Sequence, residues 1–429
     1  MKKLFVLVCV CLVAFGAFAQ SNYGVRFSSL LSDNLTLESA IRLGLENNSQ
    51  FLTAQQDITI AEQRLSEAKL RYLPQFAVQG TASWYKSDSA MVLPEAGINR
   101  LLPASKNTDG NNFYGVGITA TQYLYSGGRI NGTLKLARTN LKQAQSRYEA
   151  VKNAVVLDIK TAFTRLLYAQ ENATLTENIW NAVEKWYLSQ DGWTRIRQMS
   201  LLAQLQAAAH EAQNELANAR LAMLVSLNKE TNAPLTISGS LEPVQVQGDL
   251  PHFQLWATEF RPELKSAIYA LELDSIAIDL ALSKRYPDIL VNASYERVGD
   301  SNLEDENKQV SLAVRLPLPY TFSQQITQKK AEQKKSTLRR AAIEDEIHVQ
   351  VAQSYAQMAF WQQEAQQRYE TYQTLAQLVE QNLKNTPKYG VAALEALHDY
   401  LQTAQSYLQS LRENHTAKAR LEWAIGKDL

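Results

Sequence analysis

Cysteine is almost absent. The chain has two in 429 residues, Cys9 and Cys11. Both lie inside the apolar run from Leu4 to Ala17. Beyond that run there is no thiol, which excludes disulfides, cysteine nucleophiles and cysteine metal sites. A second apolar run of membrane-helix length is also missing, so a membrane could be entered only with strands. Net charge is lacking too: 43 basic and 43 acidic residues balance. Without Lys2 and Lys3 the balance turns slightly negative, which gives no support for nucleic-acid binding. The five histidines are scattered. Glu344, Asp345 and His348 lie within about one helical turn and could share a metal, but a solvated helix face is the commoner meaning of such a cluster. His210-Glu211 and His398-Asp399 are adjacent pairs, which do not face each other on a helix. Gly115-Val116-Gly117 falls inside a strand pattern, so it is no dinucleotide fingerprint. No catalytic constellation remains. The expectation is a protein that is not an enzyme, with no catalytic residues, cofactor or bound metal.

Proline and glycine are missing where it matters most. Residues 129–191 contain no proline and one glycine, Gly132, and residues 325–384 contain neither. Leu134, Ala137, Leu141, Ala144, Tyr148, Val151, Val155, Ile159, Ala162 and Leu166 recur in steps of three or four, between the coiled-coil and straight-helix periods. A helix over the whole of 129–191 would be roughly 95 Å long at ~1.5 Å per residue. The second stretch has its own seam in Ile343, Ile347, Val351, Tyr355 and Met358. Helices of this length bridge a distance; a compact domain has no room for them.

The N-terminus reads as a secretory leader over 1–19: Lys2 and Lys3, the apolar run, then Ala17-Phe18-Ala19 before Gln20. A membrane anchor is the alternative, and the run is short for it. Residues 21–34 look irregular. Leu35-Thr36-Leu37-Glu38-Ser39-Ala40 opens a short helix ending near Asn47-Asn48, and a second helix runs from about Gln50 to Tyr72, stopped by Pro74. The period then changes to two. Phe76, Val78, Gly80, Ala82 and Trp84 alternate with Gln75, Gln79, Thr81 and Ser83, a strand with one greasy side and one polar side. After a mixed loop over 86–111, Tyr114, Val116, Ile118 and Ala120 alternate with Gly115, Gly117, Thr119 and Thr121. Gly127-Gly128 then hands over to the long helix as a candidate swivel. A return helix is expected from about Leu201 to Lys229.

The order then repeats. A shift of 213 residues carries Glu46, Ala54, Ala68 and Pro74 onto Glu259, Ala267, Ala281 and Pro287. A helix from about Glu259 ends before Pro287. Strands follow with Ile289, Val291, Ala293 and Tyr295 on one face, then Val310, Leu312, Val314 and Leu316. Further on, a shift of 192 carries Val155, Ile159, Phe163 and Tyr168 onto Ile347, Val351, Tyr355 and Phe360. Its return helix runs from about Val391 to Ala424. The expected organisation is a leader (1–19), a first repeat (20–229) with its hairpin at about 75–125, an equatorial linker (230–260), and a second repeat (261–429) with its hairpin at about 288–318.

Four strands, apolar on one side and polar on the other, suit a membrane barrel, yet barrels begin at about eight strands. An open sheet edge cannot face lipid. Two, three or four chains would therefore share one barrel, with the helices pooled below it. The runner-up is a soluble periplasmic coiled-coil adaptor or scaffold, which needs no lipid-facing stripe.

These stretches resemble the TolC-like outer-membrane efflux protein family. The similarity lies in Leu35-Thr36-Leu37-Glu38-Ser39-Ala40-Ile41 with Glu46-Asn47-Asn48, in Leu73-Pro74-Gln75, in Leu124-Tyr125-Ser126-Gly127-Gly128-Arg129, and in Arg261-Pro262-Glu263-Leu264. It covers nearly the whole chain after the leader. The resemblance implies an α+β membrane protein: a homotrimer with a twelve-stranded outer-membrane barrel, four strands per chain, continued by a long periplasmic helical barrel. It implies an exit duct of a tripartite efflux or type I secretion system. Its partners would be outer-membrane lipid, a periplasmic adaptor protein and an inner-membrane transporter, and it would be gated at the periplasmic helical tip. There the family's tip glycine falls on Gly390 and its second acidic aperture residue on Asp399. Its first acidic residue falls on Ala396, beside Glu395. The Tyr and Arg that often tether the closed state fall on Pro387 and Ala392. At the first tip the glycine and Asp fall on Ser200 and Gln206. Asp399, Glu395 and Gly390 are thus the candidate aperture residues.

Overall fold

The computed structural model describes residues 34–84, 92–95, 98–101, 112–186, 188–299, 303–317, 320–385 and 390–429. The leader over 1–19 and Pro387 lie outside the described residues.

The described residues start with two helices, α1 (Leu37–Asn47) and α2 (Ser49–Leu70). Thr36 and Ser39 close a capping box at the first, and the Asn48 side chain accepts from the Gln50 and Phe51 amides at the second; such caps satisfy amides that a helix start leaves without partners. Strand β1 (Gln75–Trp84), a short hairpin β2 (Val92–Glu95) with β3 (Ile98–Leu101), and strand β4 (Asn112–Tyr125) follow. The long helix α3 covers Arg129–Val183 and α4 covers Gly192–Ser226. The second half repeats the scheme: α5 (Leu250–Phe260), α6 (Pro262–Ser283), β5 (Asp288–Gly299), β6 (Asp305–Arg315), α7 (Phe322–Asn385) and α8 (Val391–Ile425). Helices α5 and α6 begin and end 213 residues after α1 and α2, so the shift seen in the sequence is a shift of whole elements.

Two boundaries differ from expectation. The first long helix stops at Val183, and the return helix begins at Gly192 instead of Leu201. The reason is Asp191: its carboxylate accepts from the Thr194 amide at 2.9 Å, so Asp191-Gly192 opens a helix where the sequence suggested the end of one. Those hydrogen bonds also hold the Asp191 carboxyl below its ordinary pKa. The stretch 230–260 is also not all linker, because α5 occupies its last part.

Side-by-side packing orders the helices. On the strand side of the molecule the order is α2, α3, α6, α7; towards the far end it is α4, α3, α8, α7. Among the described residues, three buried clusters hold them. One joins α1, α3 and α4 around Ile159, Phe163 and Met223; a second joins α5, α7 and α8 around Phe253, Val351 and Leu421. The third, at the far end, contains Val183, Leu205, Leu394 and Leu401.

Between the halves, the linker is strapped across the helices by its backbone. Leu241 N–H donates to Glu171 at 3.3 Å, Val244 N–H to Asn414 at 2.8 Å, and Val246 N–H to Gln362 at 3.1 Å. His415 reaches the Glu242 carbonyl at 2.7 Å, and burial pushes its pKa down, so the ring is the neutral donor. Arg261, nearly buried, donates to the Trp423 carbonyl and to Gln350, pairs with Glu263 at 3.0 Å, and lies 4.2 Å over the Trp423 ring. The Arg-Pro-Glu-Leu motif is therefore a joint between α6, α7 and α8.

Candidate functional site: a two-faced sheet and a helical tip

Strands β1, β4, β5 and β6 form one antiparallel sheet in that order, so the two repeats meet at β4–β5. The register settles which residues share a face. Phe76, Ala120, Ala293 and Val310 form one row, and Val78, Ile118 and Tyr295 stand in the next row on that face. All the apolar alternations expected from sequence thus fall on the same side. That side is bare: Phe76 is 74% exposed, Val78 76% and Val310 78%. Apolar groups in such a continuous layer are normally buried.

The apolar layer ends in charge at the far edge, where Arg297 pairs with Glu306 at 2.9 Å and Lys308 lies 5.6 Å over Tyr295. The boundary is oblique. The apolar stretch is Phe76–Ala82 on β1 but Val310–Leu316 on β6, about six residues along the ladder over three strand spacings. With a rise of ~3.3 Å per residue and spacing of ~4.8 Å, a level apolar band requires strands tilted by about 54°, more than the ~35–45° usual for membrane barrels.

The opposite face carries Gln79, Thr119, Thr121, Asn292, Ser294 and Gln309. Thr121 donates to Asn292 at 3.0 Å and Asn307 to Glu296 at 2.8 Å. This face is tightly packed: a Cβ at Gly117 would sit 2.9 Å from the Glu296 Cβ, and one at Gly115 2.6 Å from the Thr81 hydroxyl. Close packing accounts for Gly115-Val116-Gly117.

At the elbow end, Pro74 and Pro287 each stand one residue before a strand, after the last helical turn has closed. Proline cannot extend a helix and favours extended backbone before it. Gly127 and Gly128 have φ of +59° and +82°. Ser126 and Gly127 are buried, and a Cβ on Gly127 would meet the Tyr286 Cβ at 2.7 Å and the Ser283 carbonyl at 2.9 Å. Arg129 forms an ion pair with Asp288, tying the start of α3 to the start of β5. Gln122 donates to the Tyr72 carbonyl at 3.2 Å. The expected swivel is thus a packed and pinned corner in this structure.

At the tip, the structure gives Glu395 a partner that sequence reasoning missed. Arg197 on α4 reaches its Oε1 with Nε at 3.0 Å and Nη2 at 2.9 Å, joining the two repeats. Both side chains are about half exposed. Asp399 lies one turn further along α8, exposed, with no ion pair among the described residues. Gly390 precedes α8 with extended backbone (φ −85°), and a Cβ there would meet nothing within 4 Å. Nothing in its geometry requires glycine. The tip of the first repeat shows Trp193, 83% exposed, with Ile196 and Met199. Among the described residues no group of three metal-ligating side chains occurs, and no helix is long and apolar enough to cross a membrane.

A two-faced four-stranded sheet joined to very long paired helices is a fold that the chain shares with solved structures. The sequence model of the outer membrane efflux protein family matches residues 40–229, within the first of the two repeats. No curated protein matches the sequence. The fold matches the open-state MtrE outer membrane channel of Neisseria gonorrhoeae at 17% identity and TM-score 0.73, covering 91% of this chain and 89% of that one. It matches CusC, described in connection with transmembrane channel formation, at 16% identity and TM-score 0.72, covering 91% and 92%. It matches the outer membrane protein VceC of Vibrio cholerae at 14% identity and TM-score 0.72, covering 91% and 96%.

Proposed function

We propose that three copies of this chain form a passive outer-membrane exit duct, docked in the periplasm to an adaptor protein and an inner-membrane transporter. The observation that carries it is the bare apolar face together with the two unpaired edges of its sheet. Among the described residues, β1 and β6 each lack a partner on one side. In hydrocarbon an unpaired edge costs several kcal/mol for each lost hydrogen bond, so β6 must meet β1 of another copy. The helices follow the same rule, since α7 forms one side of the chain and α2 with α4 the other. Exposed apolar groups lie on both sides, Leu338, Val349 and Phe360 on α7 and Leu52, Ile60 and Val225 on α2 and α4. Three copies give twelve strands and, at each level, twelve helices around one lumen. The barrel's polar face then lines water and its apolar face meets lipid.

The tip is the gate in this proposal. Arg197–Glu395 latches the two return helices, and the exposed Asp399 carboxylate supplies an acidic ring. Adaptor contact would exchange the latch for contacts of its own. An exposed pair of this kind is worth at most about 1 kcal/mol, small enough for a docking partner to displace. The soluble adaptor alternative leaves the lipid-type face of the sheet without a use.

The test is the protein mass of the particle extracted from outer membranes in mild detergent, by size exclusion with light scattering. About three chains per particle is the expected result. A monomer released without detergent would overturn the proposal in favour of the adaptor.

A further inference from the structure

The polar face of the sheet is almost free of charge along its middle, and its charges stand at the two ends. At the elbow end Asp288 and Arg315 are register partners on this face. Arg129 comes across from α3 to pair with Asp288, whose side chain is only 7% exposed. Two arginines thus stand beside one carboxylate, and Arg129 takes it. Arg315 stays exposed, with no ion pair among the described residues. At the other end the face carries Glu296, bonded by Asn307, and Asp305. Asn307 and Arg315 are separated by a strand length of roughly 26 Å, several Debye lengths at physiological salt, so those carboxylates do not neutralise the arginine.

We infer that Arg315 forms a cationic ring at the periplasmic rim of the barrel and makes that rim favour anionic solutes. The inference rests on the three-copy barrel proposed above, which repeats one uncompensated positive charge around a common lumen. Rings of arginine or lysine are the usual device of anion-preferring pores. A wall of uncharged amides and hydroxyls between low-dielectric strands concentrates the field of such a ring. Two arginines and one carboxylate leave one net positive charge per copy, and the Arg129–Asp288 pair places it on Arg315.

The test is the purified particle in planar bilayers under a potassium chloride gradient. Arg315→Gln is expected to lower the anion-to-cation permeability ratio by about twofold or more, and Arg315→Lys to keep it. The tip is the same in all three proteins, so the difference isolates the rim. In a second arm, Arg315→Cys is treated with a negatively charged thiol reagent. The only native cysteines are Cys9 and Cys11, so loss of current reports access from the lumen at position 315. A conducting channel whose ratio is unmoved by Arg315→Gln, or whose Arg315→Cys form ignores the reagent, overturns the ring alone. A three-chain particle that does not conduct overturns the channel proposal and the ring with it.

Discussion

The two ends of the long helices are built on opposite principles. At the elbow, α3 starts from two left-handed glycines, one of them with no room for a Cβ, and its first side chain is paired with a nearly buried carboxylate. At the tip, α8 starts from an extended glycine with space around it, and the ion pair that joins the repeats there is half exposed. The elbow stores its geometry in steric exclusion, which solvent and partners cannot screen. The tip holds its geometry with a surface charge pair, which they can. Such a division suits the proposed duct, closed against lipid at one end and opened by contact at the other.

Gly127→Val is the harshest test of the elbow. A β-branched residue at positive φ, with its Cβ forced into Tyr286 and the Ser283 carbonyl, combines backbone strain with overpacking and should cost about 4 kcal/mol. Gly128→Val meets no neighbour within 4 Å, so it should cost only the strain, about 1–3 kcal/mol. Denaturant unfolding of the purified particles measures both. Equal losses would mean that left-handed backbone, not close packing, fixes the corner.

Val116→Arg sharpens the same end from the lipid side. Val116 stands in the apolar face opposite Gly80 and beside Arg297. An arginine there should cost roughly 2–4 kcal/mol if it lies near the bilayer midplane. Thr119→Arg, on the polar face, should insert almost normally. If the two variants reach the outer membrane in equal amounts, the assignment of faces is wrong.

Much of this contrast was legible in the sequence, and the limits are instructive. The alternation of Val310, Leu312 and Val314 with polar residues fixes their common face, because the side-chain period of a strand is two. The repeat is legible because Pro74 and Pro287 stop equivalent helices before equivalent strands. Side-chain contacts between distant segments are not. Arg197 and Glu395 are almost two hundred residues apart, and each is an ordinary helix charge until packing brings α4 against α8. Gly127-Gly128 announces left-handed backbone but cannot say whether the corner turns freely; Tyr286, far along the chain, decides that. Asp191-Gly192 misled for a local reason, since an aspartate before a glycine marks a helix start as readily as a helix end.

Arg197→Ala moves the test to the tip. Both partners are half exposed, so the global stability should fall by less than about 1 kcal/mol. The expected signature lies elsewhere, in a several-fold rise of conductance in planar bilayers without adaptor. Glu395→Ala should behave alike, and the double variant should add little to either, as for two members of one pair. Unchanged conductance in all three would remove the latch and leave Asp399 as the remaining candidate at the aperture.

Gly390→Ser should have the smallest effect and separates two meanings of a glycine at the tip. In the structure Gly390 has the extended backbone of a helix N-cap without a capping side chain. Serine fits that backbone and adds an acceptor for the first turn of α8, so the tip should gain a few tenths of a kcal/mol. Arg197→Ala loosens the tip, and Gly390→Ser tightens it locally without touching the latch. Their effects on stability should therefore add, because the two sites share no partner. Conductance of the serine variant should equal the wild type if the opened tip keeps position 390 extended. A variant that is more stable yet conducts poorly would mean that opening takes this residue into the left-handed region, where serine is strained and glycine is not. The tip would then depend on a glycine conformation just as the elbow does, used for movement where the elbow uses it for rigidity.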